Sequence, residues 1–158
     1  VDTGAHRILI FDLEGNFIKA FGQRGNGDGQ FNYPTSAALD KEGRIFVVDT
    51  LNFRIQVFDK NNQYLDSIGQ PGDASGSFSR PKGVAVDSYG HVYSTDGLFD
   101  NVQIFSQDHQ FLLSLGESGH NSGEFWIVSG IAIDEKNTIY VADSYNQRLQ
   151  VFRYVGKD

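Results

Sequence analysis

The sequence predicts an all-β fold made of repeated four-stranded antiparallel sheets. The main observation is that phenylalanine, aspartate and glycine each recur every 47 residues, without an insertion or deletion to interrupt the register. The recurring residues are Phe31, Phe78 and Phe125; Asp40, Asp87 and Asp134; and Gly22, Gly69 and Gly116. A fixed period of this length indicates an array in which each repeat is one structural unit that buries its apolar face against its neighbours.

Each repeat contains four candidate strands. In the period from Phe31 to Ser77, four apolar or β-branched runs of about five residues predict short strands. The runs are 36–40, 45–48, 54–58 and 64–68. Between the first two, Asp40 accepts backbone hydrogen bonds at the start of a turn, and Gly43 tolerates positive φ at its end. Four strands in roughly 40–50 residues are typical of a β-propeller blade, whereas a β-sandwich does not explain the unbroken register.

The period divides the chain into two complete and two partial blades. The 158 residues hold about 3.4 periods. We predict a partial blade at 1–30, complete blades at 31–77 and 78–124, and a partial blade at 125–158. An isolated open arc would leave strand edges and blade faces uncovered. We therefore expect the remaining blades to come from the same, longer chain, N-terminal to Val1, or from a second copy of it.

The composition disfavours several classes of function. The net charge of −7 makes nucleic-acid binding unfavourable, because phosphate contacts need clustered lysines and arginines. The chain has no cysteine, so disulfides, thiol catalysis and cysteine-ligated zinc are excluded. No apolar run is long enough to span a membrane. The four histidines lie at unrelated repeat positions without metal-ligand spacing, and we predict no metal, no cofactor and no catalytic residue in this chain.

An aspartate and an arginine five residues apart flank the loop between the second and third strands in three repeats. If the hairpins form as predicted, the two side chains meet across the loop and act as structural clamps. Partly exposed pairs of this kind contribute about 0.2–1 kcal/mol each. The pairs are Asp2 with Arg7, Asp49 with Arg54, and Asp143 with Arg148. In the remaining repeat Asn101 takes the arginine position after Asp96, and the pair is lost.

Several of the repeated segments resemble the NHL repeat. These segments are 83–87, 139–143, 146–152 and 21–22. The resemblance covers the whole chain, and it implies a β-propeller, typically of six blades, for which this chain has roughly half the length. It also implies protein binding, or an extracytoplasmic sensor or assembly role, for many members. Some relatives are lyases or hydrolases that use metals held in the propeller channel.

Candidate binding residues lie where one copy departs from the repeated pattern. The loops between second and third strands and the connections between blades emerge on one face of the propeller, which we call the loop face. We expect binding there, because long loops on a rigid scaffold carry function. Aromatic side chains are enriched in binding hot spots. The predicted binding residues are Phe53, Phe99, Asp100, Trp126 (the only tryptophan) and Tyr145.

The leading hypothesis is a non-catalytic binding or scaffold module that uses the loop face for protein–protein interaction. The alternative is part of a propeller enzyme, a metal-assisted lyase or hydrolase whose catalytic residues lie mainly in blades outside this chain. RNA binding would need a basic face, whereas the expected loop face carries acidic residues such as Asp73 and Glu117. The absence of cysteine and the style of the repeat favour an extracytoplasmic location.

Overall fold

The computed structural model describes residues 1–154, which form thirteen strands in four antiparallel sheets. The first sheet contains β1 (Ile8–Phe11) and β2 (Phe17–Phe21). The second contains β3 (Pro34–Leu39), β4 (Ile45–Asp49), β5 (Arg54–Phe58) and β6 (Tyr64–Ile68). The third contains β7 (Pro81–Val86), β8 (Val92–Asp96), β9 (Asn101–Phe105) and β10 (Phe111–Leu115). The fourth contains β11 (Val128–Ile133), β12 (Thr138–Asp143) and β13 (Arg148–Arg153).

The sheets are propeller blades stacked side by side. Each complete sheet is an up-and-down meander, in which every strand pairs with the next one along the chain. The first strands of successive sheets are neighbours, with β3 beside β7 and β7 beside β11. This arrangement confirms the predicted fold class, and we number the sheets blade 1 to blade 4. Within residues 1–154 the helical content is one 3-10 turn at Thr50–Asn52, and no helix has the length and apolarity to cross a bilayer.

A phenylalanine that opens each of blades 2, 3 and 4 packs on a glycine that closes the preceding sheet. Phe78 is fully buried. Gly69 has a φ of 84°, and a Cβ at this position would lie 2.3 Å from the Phe78 ring. Glycine is required here both by the backbone conformation and by the close approach of the ring. The same contact is made by Gly22 with Phe31 and by Gly116 with Phe125.

Apolar side chains of facing sheets fill the spaces between blades. Strands β4 and β8 are buried along their whole lengths, as a sheet covered on both faces requires. The clusters contain Ile8, Ile45 and Phe58 between blades 1 and 2; Phe46, Ile55, Val84 and Phe105 between blades 2 and 3; and Tyr93, Val102, Val128 and Val141 between blades 3 and 4. Packing of this kind holds the loops of neighbouring blades at fixed separations.

The face opposite the loop face carries tight turns. The Asp40 carboxylate accepts hydrogen bonds from the backbone N–H groups of Glu42 and Arg44, at 3.1 and 2.8 Å. Gly43 closes the turn with a φ of 79°. Asp87 and Asp134 make the corresponding bonds in the next two blades. The side chain of the aspartate thus satisfies the backbone N–H groups of each turn. The longer connections, by contrast, lie on the loop face.

Candidate binding site on the loop face

A buried carboxylate organises the loop face of blade 2. Asp49 is fully buried and accepts a hydrogen bond of 2.6 Å from the backbone N–H of Asn32. It also accepts bonds from Asn52 Nδ2 at 2.8 Å and Arg54 Nε at 3.0 Å. Gln56 Nε2 donates a further bond at 3.1 Å. These bonds tie the connection before β3 to the loop between β4 and β5, so the loop is held in one conformation.

Blade 4 repeats this cluster around Asp143. The carboxylate accepts the backbone N–H of Trp126 at 2.8 Å and Arg148 Nε at 2.7 Å. Burial raises the pKa of Asp143, but the hydrogen bonds that the carboxylate accepts outweigh burial and hold the pKa below its ordinary value. In the more exposed blade 1, Arg7 Nε bonds Asp2 at 3.0 Å, and this bond is the main reason that the pKa of Asp2 is lowered. All three predicted clamp pairs are therefore in contact.

Blade 3 keeps the aspartate but changes its partners. Asp96 is fully buried and accepts backbone N–H groups, including those of Ser79 and Arg80 at 2.7 and 3.0 Å. Asn101 replaces the arginine, and its Oδ1 is buried without a hydrogen-bond partner in the described range. Phe99 replaces an asparagine whose amide, in blades 2 and 4, also bonds the preceding connection. Blade 3 thus lacks the side-chain half of the cluster.

The last residue of each of these loops adopts a left-handed conformation, and in blades 1 and 3 its side chain bonds the next blade. Asp100 Oδ1 accepts the backbone N–H of Ile127, and Oδ2 accepts Ser118 Oγ–H, both at 2.6 Å. His6 Nδ1 accepts the Tyr33 N–H in the same way, at 3.1 Å. The four loop-ending residues are His6, Phe53, Asp100 and Gln147, with φ between 51 and 56°. Asp100 is therefore a buried bridge between blades 3 and 4.

An aromatic cluster lies beside this bridge. The Trp126 ring contacts the Tyr145 ring at 4.7 Å and the His120 ring at 4.5 Å between centroids. Trp126 remains 39% exposed and Tyr145 61% exposed. The Asn146 amide nitrogen donates to Asp143 and to the Gly119 carbonyl, so its oxygen accepts from His120 Nδ1 at 2.7 Å. The proton of a neutral His120 ring therefore lies on Nδ1.

Together these side chains form a shallow pocket of about 240 Å³. Its walls combine a carboxylate, a hydroxyl, an imidazole and an indole. The lining residues are Asp100, Ser118, Gly119, His120 and Trp126. We call Asp100, Ser118, His120, Trp126 and Tyr145 the blade 3–4 site. Among residues 1–154, no group of three or more histidine, aspartate or glutamate side chains has an arrangement that could hold a metal ion.

The predicted binding residues do not all belong to this site. The structure brings Trp126 and Tyr145 into contact and places Asp100 in the same pocket as Trp126. Phe53 is half-buried against the core between blades 2 and 3, and Phe99 is half-buried within its own loop. His120 was not among the predicted residues. The sequence feature that could have identified His120 is its departure from the repeat, because the equivalent positions hold Asn26 and Asp73.

The fold and these loops define the class of the protein as a segment of a β-propeller. The family model of the NHL repeat matches residues 31–58 and 125–152. Both matched segments contain the complete aspartate cluster, centred on Asp49 and on Asp143. The chain therefore matches the NHL repeat at two positions, as its sequence resemblance predicted.

Solved structures with the same fold include two lyases. A streptogramin B lyase is similar with a TM-score of 0.69 and 15% identity over 98% of this chain and 50% of its own length. A catalytically inactive virginiamycin B lyase from Staphylococcus aureus has a TM-score of 0.65 and 14% identity, over 96% of this chain and 50% of its own. An auxiliary nutrient binding protein from Bacteroides thetaiotaomicron has a TM-score of 0.66 and 14% identity, over 93% and 42%. This chain spans about half the length of these proteins or less.

Proposed function

We propose that this chain is a non-catalytic binding module that recognises another protein through its loop face. The observation that carries the proposal is the blade 3–4 site, where the Trp126 and Tyr145 rings pack against each other and stay partly exposed to solvent. Tryptophan and tyrosine are enriched among the residues that dominate binding energy. They bury a large area with few rotatable bonds, which lowers the entropy cost of association.

The rigidity of the loops supports this proposal. The Asp143 cluster fixes the residues next to both aromatic rings, since it bonds the backbone of Trp126 and the side chain of Asn146. A site that is already ordered before binding loses little conformational entropy when a partner docks. The opposite face offers only tight turns, so the loop face is the surface on which contacts can vary.

Site-specific photo-crosslinking in the native cells tests the proposal. A photoreactive amino acid at the exposed Gln147 lies in the loop next to Tyr145, whereas one at the exposed Lys136 lies in a turn on the opposite face. We expect a discrete protein adduct from position 147 that disappears when Trp126→Ser and Tyr145→Leu are introduced. Equal adducts from both positions, or none from position 147, would overturn the proposal.

We also propose that the remaining blades dock on blade 1. An apolar cleft of about 420 Å³ lies between β1 and the residues of β3 and β4 that face it. Within the described range β1 pairs only with β2, whereas β5 and β9 each have partners on both sides. The described residues of two copies would bring twice thirteen strands, two more than a propeller of six four-stranded blades holds, so further blades of the same chain fit better. Light scattering of the full polypeptide tests this, and a two-copy ring would contradict it.

The second candidate function is that this chain forms part of a propeller enzyme. It is supported by the likeness in fold to lyases, of which this chain covers half the length. The catalytic residues would then lie mainly in blades outside this chain. The test is to incubate a streptogramin B antibiotic with the full polypeptide and a divalent metal. Disappearance of the intact antibiotic, followed by liquid chromatography, would support this candidate. The extracytoplasmic location stays a prediction, which cell fractionation tests.

A further inference from the structure

The blade 3–4 site also indicates the chemistry of the group that it binds. We propose that it takes a cation, the guanidinium of an arginine or the ammonium of a lysine on the partner, over the Trp126 ring and beside the Asp100 carboxylate. This inference rests on the proposed function, because it names what the protein partner brings to the loop face.

The Asp100 carboxylate has unused capacity to accept hydrogen bonds. Its two oxygens each accept one bond, from Ile127 N–H and from Ser118 Oγ–H. A carboxylate oxygen has two lone pairs, so each oxygen can accept one more. Asp100 is only 9% exposed, and no lysine or arginine of residues 1–154 forms an ion pair with it. A carboxylate largely removed from water gains from a cation placed next to it.

The other walls of the pocket attract positive charge as well. The face of an indole ring is the best aromatic surface for a cation, and Trp126 is partly exposed. His120 donates from Nδ1 to Asn146, so Nε2 of the neutral ring has a free lone pair. The Ser118 hydroxyl already donates to Asp100. The pocket therefore presents acceptors and a π face, which suit a ligand rich in N–H donors.

The charges around the pocket favour a cation over an anion. Glu117 is exposed one residue before Ser118. Glu124 accepts hydrogen bonds from Asn121, which hold its pKa below the ordinary value and keep it ionised. Arg148 is already occupied by Asp143 and by backbone carbonyls. With a net charge of −7 on the chain, the field at the site favours positive groups and opposes carboxylates and phosphates.

Fluorescence of Trp126 provides a direct measurement, because it is the only tryptophan in this chain. The probe is N-acetyl-arginine amide, and the matched control is N-acetyl-citrulline amide, its uncharged isostere. Acetate and methyl glucoside are the anionic and carbohydrate controls. The Trp126→Phe variant is the background control, because its remaining fluorescence comes from any tryptophan elsewhere in a longer polypeptide. We expect a saturable change with the arginine probe alone, with a Kd on the order of 1 mM for so small a ligand, weakened at high salt.

Asp100→Asn tests the role of the carboxylate without removing the bridge. Asparagine tolerates the φ of 51° at this position. Its oxygen can accept the Ile127 N–H, and its amide nitrogen can donate to Ser118. We expect the variant to keep its melting temperature within a few degrees and to bind the arginine probe about tenfold more weakly. Tyr89→Leu, at an aromatic side chain on the opposite face that is 67% exposed, should leave probe binding unchanged.

Three outcomes would overturn the inference: equal binding of citrulline and arginine, binding unaffected by Asp100→Asn, or saturation by methyl glucoside alone. The proposed function is judged separately. If crosslinking at Gln147 captures a protein whose binding survives replacement of the arginines and lysines in its contact segment by glutamine, the cation proposal fails and the proposed function stands. If the arginine probe binds but the photoreactive residue at Gln147 yields no protein adduct, the proposed function fails and the cation proposal stands.

Discussion

Two equivalent places on the loop face share the backbone of the connection between blades but present opposite surfaces. Each lies where the loop of one blade meets the connection leading into the next. Between blades 2 and 3 the positions carry Phe53, Pro71, Asp73, Ser79 and Leu98, which we call the blade 2–3 site. Between blades 3 and 4 the same positions carry Asp100, Ser118, His120, Trp126 and Tyr145. One site directs its aromatic ring into the core, whereas the other exposes its rings and has a carboxylate in the same pocket as Trp126.

The connections under the two sites are held in the same way. In both, a glutamine of the third strand accepts the backbone N–H of a glycine in the connection and donates to a backbone carbonyl beside it. The first of these bonds is 3.0 Å for Gln103 with Gly76 and 2.9 Å for Gln150 with Gly123. The backbone of the connection is therefore fixed by residues that both sites share.

The sites differ in their exposed side chains and in the backbone that follows the connection, where Ile127 has a φ of 52°. In blade 4 the Tyr145 N–H bonds the Trp126 carbonyl, whereas in blade 3 the Gly97 N–H bonds the Arg80 carbonyl.

The largest expected effect concerns the shared scaffold. Phe78 and Phe125 open blades 3 and 4, and both are fully buried. We expect Phe78→Ala and Phe125→Ala each to lower the free energy of unfolding by about 3–5 kcal/mol. The two costs should be similar, because each ring fills the same space over its glycine. Chemical denaturation measures both, and a large difference would contradict the equivalence of the two sites.

The sequence predicted this scaffold well because its determinants are local or periodic. The recurring phenylalanines, glycines and aspartates identified the blades, and a five-residue spacing identified the clamp pairs. The site was predicted less completely, because its contacts join residues far apart in sequence. The bond from Ile127 to Asp100 spans 27 residues, and nothing at either position alone indicates it. Only comparison with His6 and Tyr33, at the same separation, could have suggested it.

Removal of the Asp143 carboxylate should have the next largest effect, since it leaves Arg148 without its partner. We expect Asp143→Asn to lower the free energy of unfolding at neutral pH by about 2 kcal/mol. The side chain of Arg148 is 30% exposed, so solvent recovers part of the loss. Arg148→Asn, which copies Asn101 of blade 3, should cost less because the backbone N–H of Trp126 still bonds Asp143. An equal cost for both variants would contradict this order.

The same carboxylate should contribute to acid unfolding. The folded-state pKa of Asp143 lies below its ordinary value of 3.8. Its stabilising contribution is therefore complete above the ordinary value and is lost as the pH falls through the folded-state pKa. Between neutral pH and about pH 2, the free energy of unfolding should fall less steeply with decreasing pH for Asp143→Asn than for the native protein. Parallel curves would exclude Asp143 from acid unfolding.

Exchange of side chains between the two sites should separate binding from stability. Trp126→Ser with Tyr145→Leu gives two positions of the blade 3–4 site the side chains of Ser79 and Leu98 in the blade 2–3 site. We expect partner affinity to fall by about 2 kcal/mol or more, roughly thirtyfold, because exposed aromatic anchors are removed. Stability should fall by only about 1–2 kcal/mol, because Trp126 is partly exposed and loses the contacts of its buried part alone. Binding measured by calorimetry and melting by circular dichroism distinguish these effects, and unfolding of the variant would assign the rings to the core instead.

The smallest effect is expected from repair of the cluster in blade 3. Phe99→Asn together with Asn101→Arg copies the side chains that bond Asp49 in blade 2. The new asparagine should donate to Asp96 and to the preceding connection, as Asn52 does at 2.8 Å, and the arginine should pair with the buried carboxylate. We expect a gain of about 1 kcal/mol in stability, the net value of a hydrogen bond or two after desolvation. Because Asp96 already accepts several backbone N–H groups, the gain cannot be large. A lower free energy of unfolding would mean that the loop backbone of blade 3 is adapted to Phe99. In that backbone Gly97 N–H, and not Leu98 N–H, bonds the preceding connection.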